Sequence, residues 1–146
     1  FYYHGGTAVA MEAGLLSPEE ILISYGQMLA HVRLSGAATI GLTLYPVYPA
    51  GTFKNPSMGP YSYQNGGDWT WFGARLVRPL ARHGYGAAAY RALEPMLDRV
   101  LRHQGFHEWW SVDNQPKGSG KFRGSAGVLL EAMTELRQWA KRELDR

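Results

Sequence analysis

Residues 69–103 read WTWFGARLVRPLARH, then GYG, then AAAYRALEPMLDRVLRH. In both long parts the apolar residues recur at helical spacing, as they do on the buried face of a helix. They are Phe72, Leu76, Val77, Leu80, Tyr90, Leu93, Leu97, Val100 and Leu101. The spacing predicts one helix from Trp69 or Thr70 to about His83 and a second from Ala87 to His103. A turn as short as Gly84-Tyr85-Gly86 makes the pair an antiparallel hairpin.

Three further helices are predicted outside this hairpin. Ser17-Pro18-Glu19-Glu20 has the pattern of a capping box with Pro at the first helical position, and the helix behind it runs to Gly36. A short helix from Thr7 to Ala13 should end at Gly14. Ser125 is predicted to cap a last helix from Ala126 to about Leu144, with its charged face in solvent. The fold class predicted is all-α.

Residues 37–68 contain too many Pro and Gly for a long helix. Ala38 to Tyr45 is either a short strand or an extended packed segment. Connections of this length inside a compact domain are usually functional loops. We therefore expect the segment to carry part of a binding site.

The composition narrows the classes of function. The 146 residues, 45% hydrophobic and 18% charged, predict a single domain with a substantial core. The net charge of +3 is dispersed, so we expect no nucleic-acid partner. The longest stretch without charge is broken by Gly and Pro, which argues against a membrane span. There is no cysteine and no visible signal peptide, and the chain opens on Phe1. We therefore expect a cytoplasmic protein and a trimmed or incomplete product.

Two aromatic, glycine-rich segments stand between the predicted helices: Tyr63-Gln64-Asn65-Gly66-Gly67-Asp68-Trp69-Thr70-Trp71 and Gly105-Phe106-His107-Glu108-Trp109-Trp110. Sugar sites need flat aromatic faces, amide and carboxylate groups, and glycines that let backbone approach the ligand. The segments predict an oligosaccharide pocket, with the tryptophans as stacking platforms. The predicted contacts are Tyr63, Gln64, Asn65, Asp68, Trp69, Trp71, His107, Trp109, Trp110 and, from the similar Tyr3-His4-Gly5-Gly6, His4.

Glu108 is the candidate catalytic carboxylate, because its aromatic neighbours would desolvate it and tune its pKa. The plainer interpretation is a Glu that caps a turn or pairs with Arg123 or Lys121. For Asp68 the plainer role is the N-cap before Trp69, and Asp113 lies in a polar turn. The five histidines lack metal-ligand spacing, so we expect neither a metal nor another cofactor.

At these residues the chain resembles the C-terminal part of glycoside hydrolases built on the (α/α)6 barrel, a group that includes glycogen debranching α-1,6-glucosidases, trehalases, glucoamylases and neutral invertases. Tyr63 to Trp69 is similar to the loop that opens a late barrel helix. Gly105 to Trp110, with Gly118 and then Arg123 to Ala132, is similar to the region of the catalytic base and the final inner helix.

The resemblance implies a partial toroid of helical hairpins with long loops at one end, and inverting hydrolysis of an α-linked oligosaccharide with Glu108 as general base. An inverting pair holds its carboxyl groups roughly 6.5 to 9.5 Å apart, with water between them. No upstream residue matches the acid, so we expect the acid and the missing N-terminal hairpins to lie outside this chain, as its partners. The alternatives are an epimerase, lyase or phosphorylase on the same toroid, or a non-catalytic carbohydrate-binding module.

Overall fold

The computed structural model describes residues 1–146, which form five α-helices and one small hairpin. In chain order the elements are α1 (His4–Glu12), α2 (Pro18–Ser35), a 3₁₀ turn (Pro56–Met58), α3 (Thr70–Arg82), α4 (Gly86–His103), β1 (Trp109–Trp110), β2 (Pro116–Lys117) and α5 (Arg123–Leu144). The all-α class is confirmed. The two strands are antiparallel and pair Trp109 with Lys117 and Trp110 with Pro116.

The sequence signals for α2 and for the central hairpin are confirmed. Ser17 and Glu20 form the reciprocal capping box, and α2 ends at Gly36 in the left-handed conformation with φ of 75°. Pro79 and Pro95 lie inside α3 and α4, and both helices continue through them. None of the helices is both long and apolar enough to cross a bilayer.

The first and last helices, α1 and α5, begin earlier than predicted. α1 begins at His4 instead of Thr7, because the Tyr3 carbonyl accepts from both the amide and the hydroxyl of Thr7. α5 begins at Arg123 instead of Ala126, and Ser125 is not its cap. The buried Ser125 hydroxyl instead donates to the carbonyl of His107 at 3.0 Å, which ties α5 to the loop before β1.

The helix at the centre of the core is α3, which packs against α1, α4 and α5. Its fully buried Leu76, Val77 and Leu80 meet side chains from α2, α4 and α5 in one hydrophobic cluster. Burying such side chains contributes roughly 1.5 to 3 kcal/mol each. The core therefore lies between the helices and leaves the loops at one end free to form a site.

Helices α1, α3 and α5 run parallel, with their first turns at the same end of the molecule. In the first turns, Gly5 packs against Phe72, and Gly124 packs against Trp71. Further along, Arg78 of α3 bridges Glu12 of α1 at 2.8 Å and Glu131 of α5 at 2.6 Å. The N-terminal residues 1–3 and the two long loops that precede α3 and α5 are thereby gathered at one end, called the loop end below.

The face of α5 that we expected to be simply solvated is partly engaged with α3. Besides the contact of Glu131, Glu135 accepts from Arg82 at 2.8 Å, and its side chain is only 13% exposed. Arg75 pairs with Glu12 on the other side of α3. Partly exposed pairs of this kind contribute little individually, but together they fix the relative positions of three parallel helices.

In the segment from Ala38 to Tyr45, residues 38–41 form bends and a turn, and Leu42 to Tyr45 is packed without being a strand of a sheet. The segment makes isolated bridges, in which the Thr43 amide donates to Gly67 at 3.0 Å and the Trp69 amide donates to Gly41 at 2.7 Å. Gly41 is required here because a Cβ would collide with Asp68 and the Trp69 backbone. The segment thus lies beneath the Tyr63–Trp71 motif and supports it.

Candidate functional site

The aromatic motif divides into an inward half and an outward half. Asn65, Asp68 and Trp69 are buried, with exposed fractions of 0%, 1% and 5%. Tyr63 is half-buried and Gln64 is exposed. Since a ligand reaches only accessible atoms, the inward residues support the site and the outward residues are left to contact the ligand.

Asp68 forms the centre of a buried polar network. Its carboxylate accepts from the Thr39 amide at 2.9 Å, the Thr39 hydroxyl at 2.6 Å and the Arg99 guanidinium at 2.9 Å. Arg99 is 1% exposed, also donates to Thr70 at 2.6 Å, and lies over the Trp110 ring at 4.7 Å. Asp68 is therefore neither the N-cap of α3 nor open to a sugar. The network therefore joins the segment 38–45, α3, α4 and β1.

Asn65 is likewise committed to the protein itself. Its side chain amide donates to the carbonyls of Tyr48 and Met58 at 3.0 and 3.1 Å, and its oxygen accepts from the Tyr48 amide at 2.8 Å. All of these partners are backbone groups of the preceding loop. The predicted contact of Asn65 with a sugar hydroxyl is wrong in this geometry, because the amide is fully buried and already bonded.

Two of the four tryptophans predicted as stacking platforms have no open face. Trp110 is 0% exposed and is enclosed by Arg99, His103 and His107. Trp69 lies under other rings, and its indole nitrogen donates to the Tyr63 carbonyl at 3.0 Å. Both are core residues of the loop end. Long-range packing, which the local motif does not encode, decides this outcome.

The other two tryptophans are half-buried. Trp109 covers Gly67 and meets the Tyr63 ring edge-on, with centroids 6.1 Å apart. Trp71 lies between α3 and α5, with the Arg75 guanidinium 4.4 Å from its ring centre. Trp109 therefore remains available to a ligand at the loop end, whereas one face of Trp71 is already covered by an arginine.

A single aromatic cluster connects the loops. Around Trp69, the rings of Tyr63, Phe72 and Phe122 stand at centroid distances of 5.1, 6.2 and 6.3 Å. Tilted and edge-to-face pairs at these separations are favourable arrangements for aromatic rings. The cluster forms a rigid floor between the hairpin that carries Trp109 and the first turn of α3.

Beside this floor is a cleft of about 350 Å³, which is within the size range of small-ligand sites. Its walls combine aromatic rings, other apolar side chains, one free side-chain amide and two helix-start glycines. Its lining includes Tyr3, Gly6, Tyr48, Phe53, Gln64 and Phe72. Of the sugar contacts predicted from the sequence, Gln64 alone lines this cleft. The hydroxyls of Tyr3 and Tyr48 bond to each other across it.

His4 lies just behind the cleft and is buried. Its Nε2 is 3.0 Å from Nδ1 of His31, and the pair is flanked by Tyr2 and Tyr45. Burial, together with the neighbouring His31, lowers the pKa of His4 to about 3. Both rings are therefore neutral near pH 7, with one ring nitrogen donating to the other. His31 is thus the half-buried partner of His4, and this pairing places His4 out of reach of a ligand.

His107 is held in the loop before β1. Its ring packs against Gly105, Gly120 and Trp110, and burial lowers its pKa. Among the described histidines and acidic residues, no cluster has the arrangement of a metal site.

Glu108 is half-exposed at the start of the β hairpin. Its amide donates to the Ser119 carbonyl at 2.9 Å, and its carboxylate contacts the Ser119 amide at 3.4 Å. Gly118 has φ of 67°, and a Cβ there would collide with this carboxylate. Gly118 is therefore a site residue whose role sequence reasoning missed, although its position in a Lys-Gly-Ser-Gly turn was a signal. Neither Arg123 nor Lys121 pairs with Glu108.

Glu108 and the cleft are separate in space. Glu108 precedes β1, and its side chain and that of Trp109 have different neighbours. Trp109 faces Tyr63, while Glu108 faces Gly118, and Glu108 does not line the cleft. No carboxylate lines the cleft at all. The cleft can bind a ring with an apolar face, and its lining contains no pair of carboxyl groups such as glycoside hydrolysis uses.

A second large cavity is a groove of about 720 Å³ between α4 and α5. It is lined largely by apolar side chains, among them Leu97, Leu101, Met133 and Leu136. Leu101 and Met133 are 69% and 46% exposed. None of the site residues predicted from the sequence lines the groove, although its lining includes the carboxylates Glu94 and Asp98.

No protein-family model matches the chain, and no curated protein matches it either. The function therefore has to be argued from the residues and their geometry.

Proposed function

We propose that the chain binds an oligosaccharide in the cleft at the loop end. The observation that carries this proposal is a cleft walled by Tyr3, Tyr48, Phe53 and Phe72 with the free amide of Gln64 at its edge. Pyranose rings have an apolar face that packs on aromatic side chains, while their hydroxyls need a few well-placed polar groups. The glycines at the start of α1 add close backbone approach.

The absence of charge in the cleft supports a neutral ligand. Its lining contains no Asp, Glu, Lys, Arg or His. A charged ligand would lose hydration on entering this largely apolar site without gaining an ionic partner. A neutral sugar can make the same apolar contacts and loses less hydration free energy on entering the cleft.

The finer proposal is that the chain forms part of a glycoside hydrolase toroid, with Glu108 as the general base. Three parallel helices and an antiparallel α4 support a repeated hairpin arrangement, with all long loops at one end. In this proposal the missing hairpins would cover the apolar groove between α4 and α5. Glu108 would take a proton from the attacking water, and the acid would come from outside this chain.

The second candidate is a carbohydrate-binding module without catalysis. It is favoured by one specific observation, that no carboxylate lines the aromatic cleft. Replacement Glu108→Gln separates the two candidates, because it retains shape and removes basicity. In the intact enzyme a general base variant should lose hydrolysis by about 10² or more and retain binding. A binding module should be unchanged in every assay.

Two tyrosines of nearly equal exposure provide the matched test of binding. Tyr3 lines the cleft and is 52% exposed, whereas Tyr90 lies on α4 and is 55% exposed. In calorimetric titrations with maltotriose and related neutral oligosaccharides, Tyr3→Ala should weaken binding about tenfold or more. Tyr90→Ala should leave it unchanged. Equal affinity in both variants would argue against the cleft as the sugar site.

A further inference from the structure

The chain between Tyr48 and Met58 leaves the body of the protein and returns close to its starting point. The side-chain nitrogen of Asn65 donates to the carbonyl of Tyr48 at 3.0 Å and to that of Met58 at 3.1 Å. Two hydrogen bonds to one atom hold these oxygens within roughly 6 Å of each other. A surface loop of this size with its ends together is an Ω-loop, a type that often carries function.

Phe53 is the inward-facing ring of this loop. The other residues from 49 to 57 are exposed, whereas Phe53 is half-buried. Its ring stands edge-on to Tyr48 with centroids 5.3 Å apart, and both rings line the cleft together with Met58. The loop therefore supplies one complete wall of the cleft.

The anchor of the loop is inside the protein. Asn65 is 0% exposed, and its oxygen accepts from the Tyr48 amide at 2.8 Å. The next residue, Gly66, has φ of 89°, and a Cβ there would collide with Val47. Both residues of the Asn-Gly pair are thus fitted to the base of the loop and not to a ligand.

We propose that Asn65 is a positioning residue, which sets the wall formed by Tyr48, Phe53 and Met58 by holding both ends of the Ω-loop. This role rests on the proposed function insofar as the ligand of the cleft is a sugar. Asn65 acts on that ligand through the loop, without touching it. The three hydrogen bonds predict that loosening the anchor changes the cleft while the helical core is unaffected.

The first test is hydrogen exchange on the whole chain with Asn65→Ala, and with Asn55→Ala as the matched control. Asn55 belongs to the same loop, but its side chain accepts only from the Ser57 amide. Asn65→Ala should raise amide exchange in residues 48–58 about tenfold or more, with α3 and α5 unchanged. Asn55→Ala should leave Tyr48 and Met58 protected. Unchanged exchange in the loop, or an equal rise in the helices, would overturn the proposal.

The second variant keeps the anchor and removes Phe53 from the wall. Replacement of residues 50–57 by Gly-Gly retains Asn65 and its partners Tyr48 and Met58, so the melting temperature should stay close to that of the wild type. The affinity for maltotriose should fall about tenfold or more, as it should in Asn65→Ala. Unchanged affinity in the shortened chain would contradict a role for the loop in binding. A wild-type chain that binds no oligosaccharide would overturn the proposed function, and the exchange measurement would still decide whether Asn65 anchors the loop.

Discussion

Aromatic residues have different roles on the inward and outward sides of the loop end: they support the structure on one side and line a cleft on the other. On the inward side, Asp68, Arg99 and Trp110 are almost completely buried and joined by hydrogen bonds and ring contacts. On the outward side, Tyr3 and Phe53 line an open cleft that contains no charge. Aromatic and polar residues of the loop end therefore divide into those that support the structure and those that can contact a ligand. Burial, more than residue type, decides which role each one has.

The largest expected effect comes from breaking the inward network. Asp68→Ala would leave the Arg99 guanidinium buried without its carboxylate, and uncompensated charges of this kind cost about 3 to 5 kcal/mol. Urea unfolding should therefore show a large loss of stability or no folded protein. Asp113→Ala, at an exposed loop carboxylate, is the control and should change little. If both variants were equally stable, Asp68 would not be the hub of the loop end.

The adjacent tryptophans of β1 test the same division within two residues. Trp110→Ala should destabilise by about 3 to 5 kcal/mol, because it empties a fully enclosed site. Trp109→Ala should lower the free energy of unfolding clearly less, since that ring is only half-buried. Chemical unfolding of both variants is the measurement. Equal losses would mean that Trp109 also belongs to the rigid core.

The pH dependence of stability tests the burial of His4. Its pKa in the folded state is lowered to about 3, whereas the unfolded chain takes up this proton near pH 6.5. The unfolded state therefore binds more protons in this window, so stability is lost as the pH falls from about 6.5 towards 3. Thermal melts across that range should show the fall. His4→Phe should flatten it, and His83→Phe, at an exposed position, should not.

The smallest expected effect is at Gly118. Ala at φ of 67° is strained, and its Cβ would displace the Glu108 carboxylate. Conformational strain of this size costs about 1 kcal/mol. Gly118→Ala should thus lower the free energy of unfolding slightly and leave sugar binding in the cleft unchanged, as measured by urea unfolding and calorimetric titration. Gly127→Ala, at an open helical position, is the matched control. Equal stability of the two variants would argue against strain at Gly118.

Local signals in the sequence predicted the elements that local chemistry determines. The capping box at Ser17 and the glycine stop at Gly36 bounded α2 correctly, and the apolar stripes gave the central hairpin. The starts of α1 and α5 were wrong by three residues. There the first turns are held by groups distant in sequence, such as the Thr43 carbonyl that accepts from Gly5 at 3.2 Å.

The candidate site was less predictable than the helices. The motif indicated an aromatic loop end, but it did not reveal that Asn65, Asp68 and Trp69 face inward. Their partners Tyr48, Thr39 and Phe122 come from other segments of the chain. Tyr48 and Phe53 were missed as cleft residues, because only the return of the Ω-loop brings them there. Aromatic residues inside a Pro- and Gly-rich connection were the available signal.

The most direct test of the central claim is a map of amide chemical-shift changes on titrating the chain with neutral α-linked oligosaccharides. We expect saturable chemical-shift changes at the amides of Tyr3, Gly6, Tyr48, Phe53 and Gln64. The amides of Asp68 and Trp110 should change little. No saturable change with any of these sugars, or changes confined to the groove between α4 and α5, would contradict it.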